Sequence, residues 1–197
     1  MTQPRLETLA GAALLPALPG LARLRCQVFA EWPYRYAGDE ASEAAHLASF
    51  AETSGAAVVL AWAGADLIGA ATCQPLPHAL PAIRAPFTAR GLDPAAWCYF
   101  GESVLLPAWR GQGLGVAFFT HREAHARALG LHKAAFCAVV RNPNDPRTPP
   151  GYQPLDPFWQ KRGYTRRPEL SCVLPWREAG DAGETPHSLV FWAKETL

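Results

Sequence analysis

The sequence predicts an α+β domain built on a mixed sheet. Two observations carry this. Stretches of strand and helix character follow one another in the order β-α-α-β-β-β-α-β-α-β-β, and residues 99–130 join a strand directly to a helix through a glycine-rich turn. The 197 residues suit one domain with a substantial core, and no internal repeat divides them.

Arg5–Leu9 reads as the first strand and residues 19–32 as the first helix. Arg5 and the apolar run 9–24 faintly resemble a secretion signal. Pro16 and Pro19 break that run, Arg23 and Arg25 follow at once, and it is too short to span a bilayer. The expectation is a cytoplasmic chain. Residues 31–38 form an aromatic-rich loop, and Asp39 is placed to cap a second helix reaching about Thr53. Residues 56–63 and 66–74 flank Gly64-Ala65 and read as an antiparallel hairpin. Residues 75–94 contain five prolines and read as a connector with at most one helical turn.

The fourth strand carries Phe100, Val104, Leu105 and Leu106, and ends at Pro107, which has no N–H for a ladder. A helix over residues 116–129 directs Phe118, Phe119 and Leu129 to the core. His121, Arg122, Glu123, His125 and Arg127 fall mostly on its wetter side, and Gly130 stops it. Residues 133–140 make the fifth strand. Residues 141–157 hold six prolines in 17 positions, a stiff segment suited to a lid. Thr165–Trp176 reads as the sixth strand and residues 187–193 as the last.

Net charge is +1 and the apolar fraction 49%, with no basic run. That argues against nucleic acid as the main partner. Five cysteines, spread along the chain with no C-x-x-C, suggest buried thiols rather than zinc ligands or a disulfide framework. His121 and His125 lie one helical turn apart, but no third ligand accompanies them, so no metal is expected.

The segment Arg110-Gly-Gln-Gly-Leu-Gly115 is the chemical signal. The first N–H groups of a helix have no internal partner and carry partial positive charge, which makes an anion site. Arg110 adds a cation able to fork onto phosphate oxygens. The P-loop pattern is absent. The dinucleotide fingerprint fails as well: from Gly111 its last glycine comes one position early, and no carboxylate follows for a ribose.

Arg110, Gly113 and Gly115, preceded by Val104-Leu-Leu-Pro107, resemble the acyl-CoA-binding motif of the GNAT superfamily of N-acetyltransferases. Downstream, the strand at 133–140, Asn142, and Phe158-Trp-Gln-Lys-Arg-Gly-Tyr164 are similar to the family's fifth strand and to the short helix before its sixth. The resemblance covers residues 99–175. It implies a central, mostly antiparallel sheet of six to seven strands, helices on both faces, and splayed strands 4 and 5. It implies transfer of an acetyl or other acyl group from acetyl-CoA (or another acyl-CoA) to a primary amine of a small molecule or amino acid. It implies that Val104, Leu105, Leu106, Arg110, Gly111, Gln112, Gly113, Leu114, Gly115, Asn142, Phe158 and Trp159 hold the acyl-CoA.

Two features depart from the family pattern. The segment 141–157 is longer than its usual link. Trp159 stands where many members carry a tyrosine acid, and an indole cannot give up a proton at neutral pH. Tyr164, Tyr152 or solvent would then serve, or the thiolate leaves unassisted.

Glu102 is the candidate base, a carboxylate in an otherwise apolar strand. Alternation sets it on the face of Phe100 and Val104 if no bulge intervenes; a structural ion pair is the alternative. Trp32, Tyr34, Tyr36 and Arg141 are the candidate acceptor-site residues, with Asn144, Asp145 and Arg147 nearby on the proline-rich segment. Two other functions stay open: a non-catalytic acyl-CoA sensor, and acetylation of a protein amine. No membrane partner is expected, and the chain is expected to be a monomer or homodimer.

Overall fold

The computed structural model describes residues 3–197. Its elements are β1 (Arg5–Leu9), α1 (Leu18–Phe29), α2 (Glu40–Ala51), β2 (Ala57–Ala63), β3 (Asp66–Pro75), α3 (Pro81–Ala89), β4 (Trp97–Leu105), α4 (Leu114–Ala128), β5 (Lys133–Val139), α5 (Asp156–Gln160), β6 (Thr165–Trp176) and β7 (Thr185–Lys194). One seven-stranded sheet runs β1-β2-β3-β4-β5-β7-β6. Every neighbouring pair is antiparallel except β4–β5.

The helices divide between the two faces. Leu21 of α1 and Leu47 of α2 pack with Leu60, Ala70 and Val104 on one face, and Ile83 and Phe87 of α3 cover Trp97 and Phe191 farther along it. On the other face Phe118 and Phe119 of α4 meet Ala71, Phe100 and Tyr164. Asp39 caps α2, its carboxylate accepting from the Ser42 N–H at 2.9 Å. The hairpin forms as expected, and the membership of β1 and β6 agrees with the sequence to the residue.

The structure corrects four expectations. The segment 75–94 contains a nine-residue helix, α3. Pro81 occupies its first turn, where a missing N–H costs nothing, and Ile83 and Phe87 bury one turn apart. α4 begins at Leu114, two residues early, because Gly113 serves as its N-cap. Leu129 is 40% exposed, and Ala126 takes the core position at the end of α4. Arg122, expected on the wet side, is buried at 2%.

Candidate active site

β4 and β5 pair only at Trp97–Lys133, Cys98–Ala134 and Tyr99–Ala135. Beyond Tyr99 they part, β4 continuing along β3 and β5 along β7. The Leu106 N–H donates to Ile68 O at 3.0 Å, so alternation turns the backbone groups of Ser103 and Leu105 away from β3 and into the gap. The Val140 N–H donates to Ser188 O at 2.8 Å, which turns those of Cys137 and Val139 into it from the other side. Two strand edges thus face each other across an opening, able to pair with an extended ligand that carries amides.

β4 also carries a bulge. Its register with β3 shifts between Ala71 and Cys73, so the step from Phe100 to Ser103 spans one residue more than its partner. Phe100 therefore faces α4, whereas Val104 faces α1. Glu102 shares the face of Val104 and not that of Phe100, a correction to simple alternation.

Past the gap the chain turns at Gly111 (φ 77°) and Gly113 (φ 86°), conformations that a side chain strains. Among the described residues no acceptor pairs with the backbone N–H groups of residues 111–115. Five donors thus gather at the positive end of α4. A Cβ on Gly111 or Gly113 would meet open space, and Gly115 lies under the Phe158 ring. Leu114 is buried beneath the turn, and Gln112 ties it back through Ala108 O at 3.0 Å. Arg110 is already engaged: its Nε donates to Leu105 O at 3.1 Å and its Nη2 pairs with Glu31 at 2.9 Å. Leu106 closes the end of β4 over the α1 core. It also borders a groove of about 630 Å³ between α1 and the β2–β3 hairpin, which Arg23, Trp62 and Trp109 line away from the gap.

Glu102 lies in a buried cluster. Arg25 of α1 reaches both Glu102 and Glu43. Burial pushes the Glu102 carboxyl up, but the charge and hydrogen bond of Arg25 outweigh it and hold the group below its ordinary value. Burial and Glu43 push the Tyr36 phenol up to about 12.

The aromatic loop closes the same side. Tyr34 packs on Phe29 and Trp176, and burial pushes its phenol well up, so it stays protonated. Arg141 does not project a free cation. Its Nε donates to Pro33 O at 2.6 Å, its Nη2 to Tyr34 O at 3.1 Å, and its Nη1 pairs with Glu178 at 2.6 Å. The guanidinium lies over the Trp32 ring, whose other neighbour is Tyr152 of the proline-rich segment. Glu178, buried at 2%, also binds Arg147 at 2.8 Å, which pins that segment down. Asp145 grips Arg147 from within the segment, and Asn142 starts it by accepting the Asn144 N–H at 2.9 Å.

On the α4 side, Phe158 packs edge-to-face against Phe119, and Trp159 against Phe136 and Trp192. Tyr164 is a core residue whose hydroxyl donates to Glu123 at 3.1 Å, away from the gap. The rings of His121 and His125 bond Thr8 and Gly55 O respectively. Among the described residues no three potential metal ligands cluster, and no helix is long and apolar enough to cross a membrane.

The sequence reading passed over Arg25, Glu43, Thr72 and Glu178. For Arg25 a signal existed, since it follows Leu21 by one turn on the apolar stripe of α1. Glu178 lies in a loop, where no periodicity marks burial.

The acetyltransferase (GNAT) family model matches residues 24–164. Among curated proteins none matches the chain. Several solved structures share its fold. A ribosomal-protein-alanine N-acetyltransferase from Brucella melitensis is 13% identical, with 98% of this chain and 99% of that one covered at a TM-score of 0.63. The yncA protein of Salmonella typhimurium, solved with its cofactor acetyl-CoA, is 14% identical over 96% and 92% at 0.57. The PaiA N-acetyltransferase of Thermoplasma acidophilum, in complex with coenzyme A, is 12% identical over 98% and 99% at 0.59.

Proposed function

This chain belongs to the acetyltransferase (GNAT) family and is an acyl-CoA-dependent acyltransferase; from that premise we propose that it transfers an acetyl group from acetyl-CoA to a primary amine of a small molecule or amino acid. The observation that carries this reading is the row of five unpaired N–H groups at residues 111–115, set where β4 parts from β5. In this reading the turn holds the pyrophosphate, with Arg110 moving from Glu31 to a phosphate oxygen. The gap-facing Leu105 N–H and Asn142 pair with the pantetheine amides, and Phe158 and Trp159 give it an apolar wall; Val104 and Leu106, whose backbones face β3, only back that edge.

The acceptor enters on the side of α1 and α2, between Trp32, Tyr34 and Tyr36. Arg141 shapes that side by gripping the backbone of Pro33 and Tyr34. The amine must lose a proton as it attacks the thioester carbonyl. Glu102, kept ionised by Arg25, takes that proton through water. The C–S bond breaks and the thiolate takes a proton from solvent. The ion-paired segment over Trp32 favours a small acceptor over a protein tail.

Two measurements test the proposal. Gly113→Asp puts bulk and negative charge into the anion site, so calorimetry should show CoA binding nearly abolished; equal affinity rejects the site. Thiol release from acetyl-CoA with a panel of small amines should exceed that with peptide N-termini. Peptide preference would move the acceptor to a protein amine, and CoA binding without any release would make the chain a sensor.

A further inference from the structure

Arg122 is a buried cation that the proposed chemistry leaves unused. It is 2% exposed, and among the described residues no carboxylate lies within ion-pair distance of it. Its guanidinium sits 4.5 Å from the centre of the Phe100 ring and 4.8 Å from that of Phe119. Its Nε donates to Phe118 O at 3.3 Å, and its Nη1 reaches Thr72 O at 3.5 Å. Burial pushes its pKa down. An unpaired charge in a core is costly, and an apolar side chain of similar volume would fill the same space at less cost.

The place it occupies is informative. Thr72 stands at the β4 bulge, between the register pairs Ala71–Ser103 and Cys73–Phe100. Its hydroxyl accepts the Glu102 N–H at 3.1 Å. A Cβ on Gly101 would lie 2.3 Å from that same hydroxyl, so Thr72 fills the space that this glycine leaves. A bulge breaks the ladder and frees backbone groups. Here the Thr72 side chain takes up the N–H of Glu102, and Arg122 donates to the carbonyl of Thr72. Phe100, stacked on Arg122, is the first β4 residue past the last pair with β5. The chain Arg122–Thr72–Glu102 therefore runs from α4, through the bulge, to the apex of the gap.

We infer that Arg122 is a positioning residue: with Thr72 it fixes the β4 bulge, and so the aim of Glu102 and of the Ser103 and Leu105 N–H groups into the gap. This rests on the proposed acyl transfer. The charge is kept where a hydrophobic residue would pack because only a donor reaching the Thr72 carbonyl holds the bulge in one register.

The test begins with wild-type thiol release from acetyl-CoA and the best amine of the panel, since absence of release rejects the proposed function and not this inference. Given release, Thr72→Val should lower kcat at least tenfold and leave KM for acetyl-CoA within threefold. Thr72→Ser, which keeps the hydroxyl, should restore most of the rate. Arg122→Met should show the same split between kcat and KM, with a melting temperature equal to or above that of the wild type. In ¹⁵N–¹H spectra of the protein without acetyl-CoA, both Thr72→Val and Arg122→Met should move the Glu102 amide resonance, which a role in packing alone would leave in place. If Thr72→Val keeps full kcat, or a folded Arg122→Met keeps full kcat or leaves the Glu102 amide in place, the inference fails.

Discussion

At the scale of single residues, the environment of Glu102 sets its chemistry. Arg25 holds its carboxyl below the ordinary value, so Glu102 is already ionised wherever an amine acceptor begins to lose its proton. The acid limb of the rate profile then belongs to the acceptor. For an amine with a pKa of about 10.4, kcat/KM should rise roughly tenfold per pH unit through neutrality. Glu102→Gln keeps the shape and loses the base. It should slow turnover by roughly 10²–10⁴-fold with CoA affinity little changed. A variant as fast as the wild type would leave Glu102 only its ion pair with Arg25.

At the scale of elements, the proline-rich segment behaves as a fastened cover. Arg147 ties it to Glu178, and Tyr152 packs on Trp32. Arg147 is 45% exposed on its side chain, so solvent screens its pair, and the pair adds little to stability. Replacing residues 144–150 by a short Gly-Ser linker should therefore leave the melting temperature within a few degrees. Acceptor turnover should fall, because the linker no longer excludes water or holds the amine beside the thioester. CoA affinity should stay as it was, since the turn at 111–115 is untouched. Full turnover in this variant, measured on a confirmed acceptor, would make the segment a passive surface.

At the scale of the whole molecule, Arg25 joins three elements: α1, which carries it, α2 through Glu43, and β4 through Glu102. Arg25→Met leaves two buried carboxylates unpaired and should cost about 3–5 kcal/mol at pH 7. The pH dependence should also change sign. In the wild type the folded pKa of Glu102 lies below its unfolded value of about 4.3, so its stabilisation is present above that pH and lost as pH falls. Without Arg25, the largest opposition to burial is gone, and the folded pKa rises. The variant should then gain stability from pH 7 to pH 5, where the wild type does not. Urea melts at both values would show this, and a loss below about 1 kcal/mol would mean that the cluster does not couple the helices to the sheet.

The sequence by itself determined the elements and the anion turn. Alternation and breakers are local properties, so Arg5–Leu9, Thr165–Trp176, the hairpin around Gly64-Ala65 and the Asp39 cap could all be read from neighbours in the chain. The glycines at 111 and 113 were legible for the same reason, because a positive φ is a demand made by one residue's own backbone. α3 escaped because its two prolines read as breakers; Pro81 sits in the first turn, where no N–H is needed, and Pro86 inside the helix is tolerated because Ile83 and Phe87 anchor it in the core. Tertiary structure alone decided which side chains meet. The bulge at Gly101–Glu102 depends on register with β3, and it moved Glu102 off the face of Phe100. Arg122 and Arg141 are charged, and so were read as wet or as free to bind a ligand, while Arg25 and Glu178 were passed over. They are held inside because partners from distant elements compensate their desolvation, and those partners become neighbours only once the sheet has formed.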